Sequence, residues 1–447
     1  MWKDTIKNRR QAEEYMEKLR AGGIVLGLDS MRRLAAAMGN PQDELRFIHI
    51  AGTNGKGSLL AFLSRILWCA GYRVGRYSSP AVFSEFERYQ VNGRPISSDD
   101  FVRGIEAVRQ AAEKLEEAGY AYPTPFEAET ALAFWYFREK KCDIVILETG
   151  MGGLTDATNI VSTTVAAVLT SISRDHIGML GNTLSEIAMQ KAGIIKNNCY
   201  VIMGQQQPEV FEIMKSTCQE RQAILRTVDS GKVGKIRYGI EKQVFSYKNL
   251  SKLEISMAGL WQVENALLAV ETVLALREAG FQISDAMLRK GLLTTRWKGR
   301  FCVLAKKPYF IIDGAHNEDA AQKLREAVTF YFTNKRIITI IGILKDKEYE
   351  KIVSLMAPLA AQIITITPPH NKRALPAYEL AEAVRVVNPN VTAADSLQEA
   401  VEMSYLLAGK EDVILAFGSL SYLGELSKIV AHRDRIRRDT HGKPEKN

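Results

Sequence analysis

Apolar positions along this chain follow two alternating rhythms: short β-branched or aliphatic runs, then a polar turn, then stretches with helical spacing. Residues 46–50 predict a strand and 58–70 a helix. Residues 143–147 predict a second strand, preceded by a helix over 127–139. A third strand is predicted over 164–173, followed by a helix from about 184 to 192. Strands that alternate with helices imply a parallel sheet covered on both faces. The rhythm changes over 199–253, which reads as short strand-like pieces with fewer long helices, and helical spacing returns over 262–279. The aperiodic run Gly291-Leu-Leu-Thr-Thr-Arg-Trp-Lys-Gly-Arg300 reads as a joint. A second series follows, with strands predicted at 308–312, 336–341, 362–367 and 412–417 and helices over 319–330 and 397–407. The fold class is therefore α/β. A parallel-sheet domain is expected over 1–295, a smaller C-terminal α/β, Rossmann-like domain over 296–431, and a disordered basic tail over 432–447.

Composition adds little to this division. The 447 residues exceed one ordinary core, and 46% hydrophobic with 25% charged residues are globular values. Formal charge is +8, of which the tail 432–447, with six Lys/Arg against three Asp/Glu, supplies +3. No long basic block stands in the body, so the excess suits an enzyme that handles phosphates and carboxylates better than a nucleic-acid binder. The five cysteines are scattered without a CxxC pair, which fits a reducing compartment. The polar N-terminus and the lack of any run of 18 apolar residues predict no signal peptide and no membrane span. A cytoplasmic protein is expected.

The sharpest chemical signal is Gly52-Thr53-Asn54-Gly55-Lys56-Gly57-Ser58, set between a predicted strand and a predicted helix. Glycines there let backbone N–H groups face a phosphate, and the helix N-terminus adds its dipole. Lys56 can reach outer phosphates, and the Ser58 hydroxyl can reach Mg²⁺. The spacing departs from G-x4-G-K-[ST], because the first glycine stands three residues before Gly55 and Gly57 fills the usual hydroxyl position. The order of strand, glycines, lysine, hydroxyl and helix outweighs a plain glycine-rich turn, so the first domain is read as P-loop ATPase-type.

Polar groups collect at the ends of the other strands as well. Glu148 closes the second, and His176 follows the third by a short turn. Ligands gather outside the carboxyl ends of parallel strands, so Ser58, Glu148 and His176 would face one crevice and could share a divalent cation. A strand-end Glu is more often solvated and a loop His more often a surface group; their common placement favours the metal reading. Thr183-Leu-Ser-Glu186 is a capping box that starts a helix. Lys191, four residues after Ile187 and three after Ala188, then shares the apolar face. On periodicity alone a snorkelling lysine is preferred; the alternative is a buried neutral amine able to take up CO₂ as a carbamate. In the second series, Asp313-Gly-Ala-His-Asn317 closes a strand and Arg300 ends the joint. Arg300 and His316 could neutralise charge on a transferring phosphoryl group.

Taken together, the chain resembles the folylpolyglutamate synthase and dihydrofolate synthase family, a branch of the Mur ligase superfamily. The resemblance rests on His49-Ile-Ala-Gly-Thr-Asn-Gly-Lys-Gly-Ser58, Ser78-Ser-Pro80, Glu87-Arg88 with Asn92-Gly93, Glu148-Thr-Gly-Met-Gly-Gly153, Asp175-His176, Leu180-Gly-Asn-Thr183, Ile187-Ala188, Lys191-Ala-Gly-Ile194, Gln262 with Asn265-Ala266, Gly299-Arg300 and Asp313-Gly-Ala-His-Asn317. It extends from about Gly27 to the Gly418-Ser-Leu-Ser-Tyr-Leu-Gly424 run, nearly the whole chain.

The resemblance implies MgATP bound between two α/β domains, a carboxylate phosphorylated to an acyl phosphate, and attack by the amine of L-glutamate to give an amide, ADP and phosphate. It implies that Ser58, Glu148 and His176 hold the metal and that Lys191 matches a lysine often carbamylated. It also implies that Asn265, Arg300 and Asp313 contact ATP with the 52–58 loop, and that His316 lies near the transferred phosphate. Lys56, Lys191 and His316 are thus the catalytic candidates, and Arg88 and Ser419 the substrate-binding ones. ATP and Mg²⁺ are the expected cosubstrate and cofactor, with a monovalent cation as a further candidate. The expected partners are a folate or dihydropteroate and L-glutamate, with no nucleic acid and no membrane, on a monomer. The chain departs from the family pattern at Ala81, Trp261, Cys302 and Glu318. Ala81 follows Ser78-Ser-Pro80 on the pterin side, so the pterin accepted stays open. The alternatives are a Mur-type ligase acting on a non-folate carboxylate and a non-catalytic nucleotide- or nucleic-acid-binding module.

Overall fold

The computed structural model describes residues 5–19, 27–175 and 178–441. Its first sheet contains β1 (Phe47–Ala51), β2 (Val74–Tyr77), β3 (Tyr89–Val91), β4 (Arg94–Pro95), β5 (Ile144–Glu148), β6 (Thr164–Leu169), β7 (Tyr200–Met203) and β8 (Ile224–Thr227). The spatial order is β4-β3-β2-β5-β1-β6-β7-β8. The strands from β2 to β8 in that order run parallel, and β3 and β4 form an antiparallel edge. All five residues of β1 and of β5 are buried, as expected of parallel strands covered on both faces. The chain after β1 crosses toward β2, and the chain after β6 crosses the other way toward β7. Between these two strands the order reverses, the place where open α/β sheets bind ligands.

The helices of this half are α1 (Arg9–Leu19), α2 (Asp29–Ala37), α3 (Lys56–Cys69), α4 (Ser98–Glu117), α5 (Pro125–Glu139), α6 (Leu184–Ala192) and α7 (Pro208–Glu220). Alternation along β1 separates two cores. Ile48 and Ile50 join Leu59, Leu60, Phe62 and Leu63 of α3, while Phe47 on the other face joins Phe134 and Phe137 of α5. A three-stranded antiparallel sheet follows, β9 (Val233–Arg237), β10 (Gln243–Tyr247) and β11 (Leu250–Ile255), then α8 (Trp261–Glu278) and α9 (Asp285–Thr294). Phe245, Leu253 and Ile255 of this small sheet join the same core as α8, which is buried nearly all round.

The second large sheet contains β12 (Cys302–Lys306), β13 (Tyr309–Ile312), β14 (Ile337–Ile341), β15 (Gln362–Thr365), β16 (Val391–Ala393) and β17 (Val413–Phe417), in the order β12-β13-β17-β14-β15-β16. Only β12 is antiparallel. The helices α10 (Glu318–Tyr331), α11 (Tyr349–Met356), α12 (Ala377–Arg385), α13 (Leu397–Leu407) and α14 (Leu423–His441) cover it. The halves are stitched by side chains. Val82 and Phe83 of the first pack into the second core, and Trp261 meets Phe301 edge-on at 5.9 Å.

Three expectations change. The third strand stops at Leu169, and residues 170–173 turn instead into the cleft. The 199–253 stretch holds a full helix, α7, among its strands, because Val210, Met214 and Cys218 recur at four-residue spacing on one buried face. The tail expected to be disordered continues α14 to His441, and residues 442–447 lie outside the described residues. Among the described residues no helix is long and apolar enough to cross a membrane, and the five cysteines are unpaired.

The tightest helix contact is α3 on α9. A Cβ on Gly291 would stand 2.5 Å from the Cα of Ile66, a backbone atom that no rotamer change can move. Gly291→Ala is expected to cost about 1–3 kcal/mol by overpacking, read as a lower urea midpoint with an unchanged m-value.

Candidate active site

A cleft of about 1170 Å³ lies between the carboxyl ends of the two parallel sheets and is lined from both. Its floor is the loop after β1. Gly52 has φ +150°, and a Cβ there would lie 1.8 Å from the Thr170 hydroxyl, so only glycine fits beside β6. Thr53 locks the loop to the next strand end, donating from its hydroxyl to Ser173 O at 3.0 Å and accepting from Ser173 N at 3.1 Å. Gly57 opens α3 under the Trp297 ring, 2.9 Å from where a Cβ would stand. Lys56 folds back, donating to Gly52 O at 3.1 Å and Thr53 O at 3.4 Å. Ser58 accepts from the Gln262 amide at 3.2 Å, and Gln262 accepts from Asn265 at 3.1 Å, so the first turn of α8 is tied to the loop.

Glu148 ends β5 one strand away and is buried. Burial raises its pKa, opposed by the charges of Lys56, Arg300 and Arg76 and by the Ser79 N–H that donates to it. The Ser79 hydroxyl is itself buried without a partner. A carboxylate, the Ser58 hydroxyl and an orphaned serine hydroxyl make an oxygen-rich donor set of the kind Mg²⁺ prefers. No group of three or more His, Cys, Asp or Glu is placed to hold a metal among the described residues, so phosphate oxygens would complete the coordination. His176, the third ligand expected from the sequence, lies outside the described residues.

Lys191 does not snorkel. It is 4% exposed, and its amine donates to Gly52 O at 2.9 Å, the same oxygen that Lys56 reaches. Burial and the neighbouring Lys56 charge pull its pKa down to about 7. The capping box that launches α6 is present, with Glu186 N donating to the Thr183 hydroxyl at 3.2 Å and Thr183 N donating to Glu186 at 3.0 Å.

From the second sheet, Asp313 at the end of β13 accepts from Phe301 N at 2.7 Å and Ala315 N at 2.8 Å. Burial raises its carboxyl, and the nearby Arg300 charge opposes this. Arg300 lies across Gly314, where a Cβ would meet its Nη1 at 2.0 Å. The His316 Nδ1 lies 2.7 Å from Gly314 O, which can only accept, so Nδ1 carries the proton and a neutral ring keeps Nε2 as an acceptor. Burial and the Lys347 charge lower the His316 pKa to about 4. This changes the role expected of it. A neutral imidazole cannot offset phosphoryl charge, and the basic side chains of Arg300 and Lys56 line the same cleft.

Asn54, already expected in the phosphate loop, and two residues the sequence reading left without a role, Asp175 and Asp156, close the centre. Asn54 donates to Asp319 at 2.8 Å and Asn317 at 3.3 Å, carrying the phosphate loop to the start of α10. Asp175 accepts from Lys347 at 2.8 Å and Asn317 at 3.2 Å, a second bridge between the halves. Asp156 accepts from Met151 N at 2.8 Å and Thr158 N at 3.0 Å, bracing the glycine loop after Glu148. Their signal was position alone, at or just beyond strand ends. Ser419 lines the cleft but caps its own turn, accepting from Ser421 N at 3.3 Å. Arg88 does not line it: its guanidinium is held by Glu85 and Glu129, each at 3.0 Å.

Residues 50–273 match the Mur ligase middle domain family, and residues 299–420 match the Mur ligase, glutamate ligase domain family. The chain is 34% identical over 413 residues to the dihydrofolate synthase/folylpolyglutamate synthase of Bacillus subtilis, covering 91% of this chain and 95% of that protein. It is similar to the solved Mycobacterium tuberculosis folylpolyglutamate synthase complexed with ADP and AMPPCP, with TM-score 0.85, 26% identity and coverage of 98% and 100%. It is also similar to Escherichia coli FolC in complex with DHPP and ADP, with TM-score 0.83, 29% identity and coverage of 98% and 100%.

The buried Lys191 amine carries a stability signature. Its pKa falls from 10.5 unfolded to about 7 folded, so between those values the unfolded chain holds more protons and stability rises with pH. Below about pH 7 the cost of the buried charge is fully present. Lys191→Met is therefore expected to raise Tm more at pH 6 than at pH 10 while lowering activity, checked by calorimetry at the two pH values.

Proposed function

This chain belongs to the folylpolyglutamate synthase and dihydrofolate synthase family of the Mur ligase superfamily, and we propose that the cleft between its two sheets performs that family's reaction with the residues described above. The chain is an ATP-dependent acid–amino-acid ligase that joins L-glutamate to folates. The observation that carries the assignment of roles is the meeting of the phosphate loop, Lys56 and Lys191 of α6 with Arg300, Asp313 and His316 of the second half across one cleft.

In this reading the loop 52–58 holds the ATP phosphates on its N–H groups and the α3 N-terminus. Lys56 leaves the Gly52 carbonyl for the outer phosphates, and with Arg300 it meets the charge that develops as the γ-phosphoryl passes to the folate carboxylate. ADP leaves, and the acyl phosphate so formed has phosphate as its leaving group. The neutral amine of glutamate adds to its carbonyl carbon, and the tetrahedral species collapses to the amide with loss of phosphate and of one proton from nitrogen. Asn265 and Asp313 support the nucleotide side. His316 offers an uncharged ring whose Nε2 accepts a hydrogen bond beside that centre. Glu148, Ser58 and Ser79, with His176, would hold Mg²⁺, which when bound supplies Lewis acidity to the phosphoryl oxygens. The buried, weakly basic Lys191 amine is suited to a carbamate.

Ala81 lines the cleft within the loop after β2, and we assign the pterin to that side, with dihydropteroate as a second acceptor beside tetrahydrofolate. Units of 1–295 and 296–431, a cytoplasmic monomer and a monovalent cation complete the reading.

ADP release with MgATP and L-glutamate tests it, with tetrahydrofolate, dihydropteroate and a peptidoglycan precursor supplied separately. Turnover is expected with both pterins, and absence of turnover with either would sink the folate assignment. Lys191→Ala is expected to lose activity severely and to regain part of it with a short-chain carboxylic acid; wild-type turnover would remove Lys191 from the mechanism.

A further inference from the structure

α6 carries Lys191 to the phosphate loop, but a helix alone does not fix how far its last turn reaches. The clamp comes from Asn159, in the single 3-10 turn Ala157–Ile160. Its side chain is 5% exposed, and its amide nitrogen donates to Leu154 O at 3.2 Å and to Gly193 O at 3.0 Å. Gly193 caps α6, two residues after Lys191, and Leu154 ends the glycine loop whose Gly150, Met151 and Gly152 line the cleft. The same segments meet backbone to backbone. Leu154 N donates to Gln190 O at 2.6 Å, and a Cβ on Gly193 would stand 2.3 Å from Leu154 Cα. From the other side, Lys196 Nζ donates to Asn159 O at 3.0 Å.

We propose that Asn159 is a positioning residue for Lys191: its amide ties the end of α6 to the glycine loop and so sets where the Lys191 amine meets Gly52 O. The inference rests on the role given to Lys191 above. Carbonyls in the last turn of a helix lack intrahelical donors. Here one of them faces a second carbonyl across a shared amide, and without that amide two acceptors would be left opposed in a buried place. The pair would separate, and the helix end would move with it. A catalytic group displaced by about 1 Å can lose about 10²-fold in rate.

A double-mutant cycle tests this, with glutamate incorporation as the assay and Tm as a control. Asn159→Ala is expected to lower kcat about 10- to 100-fold while KM for ATP and for glutamate stays within about twofold. In the Lys191→Ala background the same change is expected to alter the remaining kcat by less than about twofold, because the clamp acts only through that amine. Asn159→Asp keeps the shape and removes both donors, so it should match Asn159→Ala and leaves a readable variant if the other does not fold. Losses that multiply in the double variant overturn the proposal and leave the Lys191 reading standing. So does wild-type kcat in Asn159→Ala. Wild-type kcat in Lys191→Ala alone overturns both. Failure of both Asn159 variants to fold assigns the residue to stability and overturns the proposal.

Discussion

The carbonyl oxygen of Gly52 accepts from two lysines, Lys56 at 3.1 Å and Lys191 at 2.9 Å. Two ammonium groups on one oxygen repel, and Lys191 sits where water is largely excluded. The conflict is eased because burial and the Lys56 charge lower the Lys191 pKa to about 7. Much of the centre follows from this concentration of positive charge. Glu148 and Asp313 are buried carboxylates whose ionised forms are both favoured by Arg300, with Lys56 acting on Glu148 as well. Such a site is poorly satisfied on its own and well matched to a bound triphosphate.

The sheet makes this concentration possible. Parallel strands end on one side, and the reversal of strand order between β1 and β6 leaves a crevice there. Tight packing turns the crevice into a rigid floor: Gly52 against Thr170, Gly57 under Trp297, and Thr53 bonded twice to Ser173. The second sheet brings its own strand ends opposite. The bridges Asn54–Asp319 and Asp175–Lys347 hold the two rims at hydrogen-bond distance, so the centre exists only when both halves are docked.

Much of the architecture was legible because burial on both faces leaves a periodic record. The strands β1, β5, β13, β14, β15 and β17 and the helices α6 and α13 fall where apolar spacing and the Thr183–Glu186 capping box put them. α7 was harder to see, since its three buried residues are interrupted by polar ones on an exposed surface helix. The end of β6 was overextended, since Thr170 to Ser173 are β-formers by composition, yet their hydrogen bonds go to the phosphate loop.

For the site, residue type and strand-end position singled out the phosphate loop, Glu148, Arg300, Asp313 and His316 as candidates, and all of these line one cleft. They could not show what each charge already had as a partner. Arg88 was a weaker substrate candidate, and Glu85 and Glu129 hold its guanidinium. By periodicity alone Lys191 read as a snorkelling lysine, and His316 as a group able to carry charge. The sequence by itself determined the alternation of elements and which residues stand at the carboxyl ends of strands, because these are local and periodic properties. Only the tertiary structure decided which of those residues are desolvated and which are neutralised, since burial and charge pairing join positions more than a hundred residues apart, as Lys191 and Gly52 are.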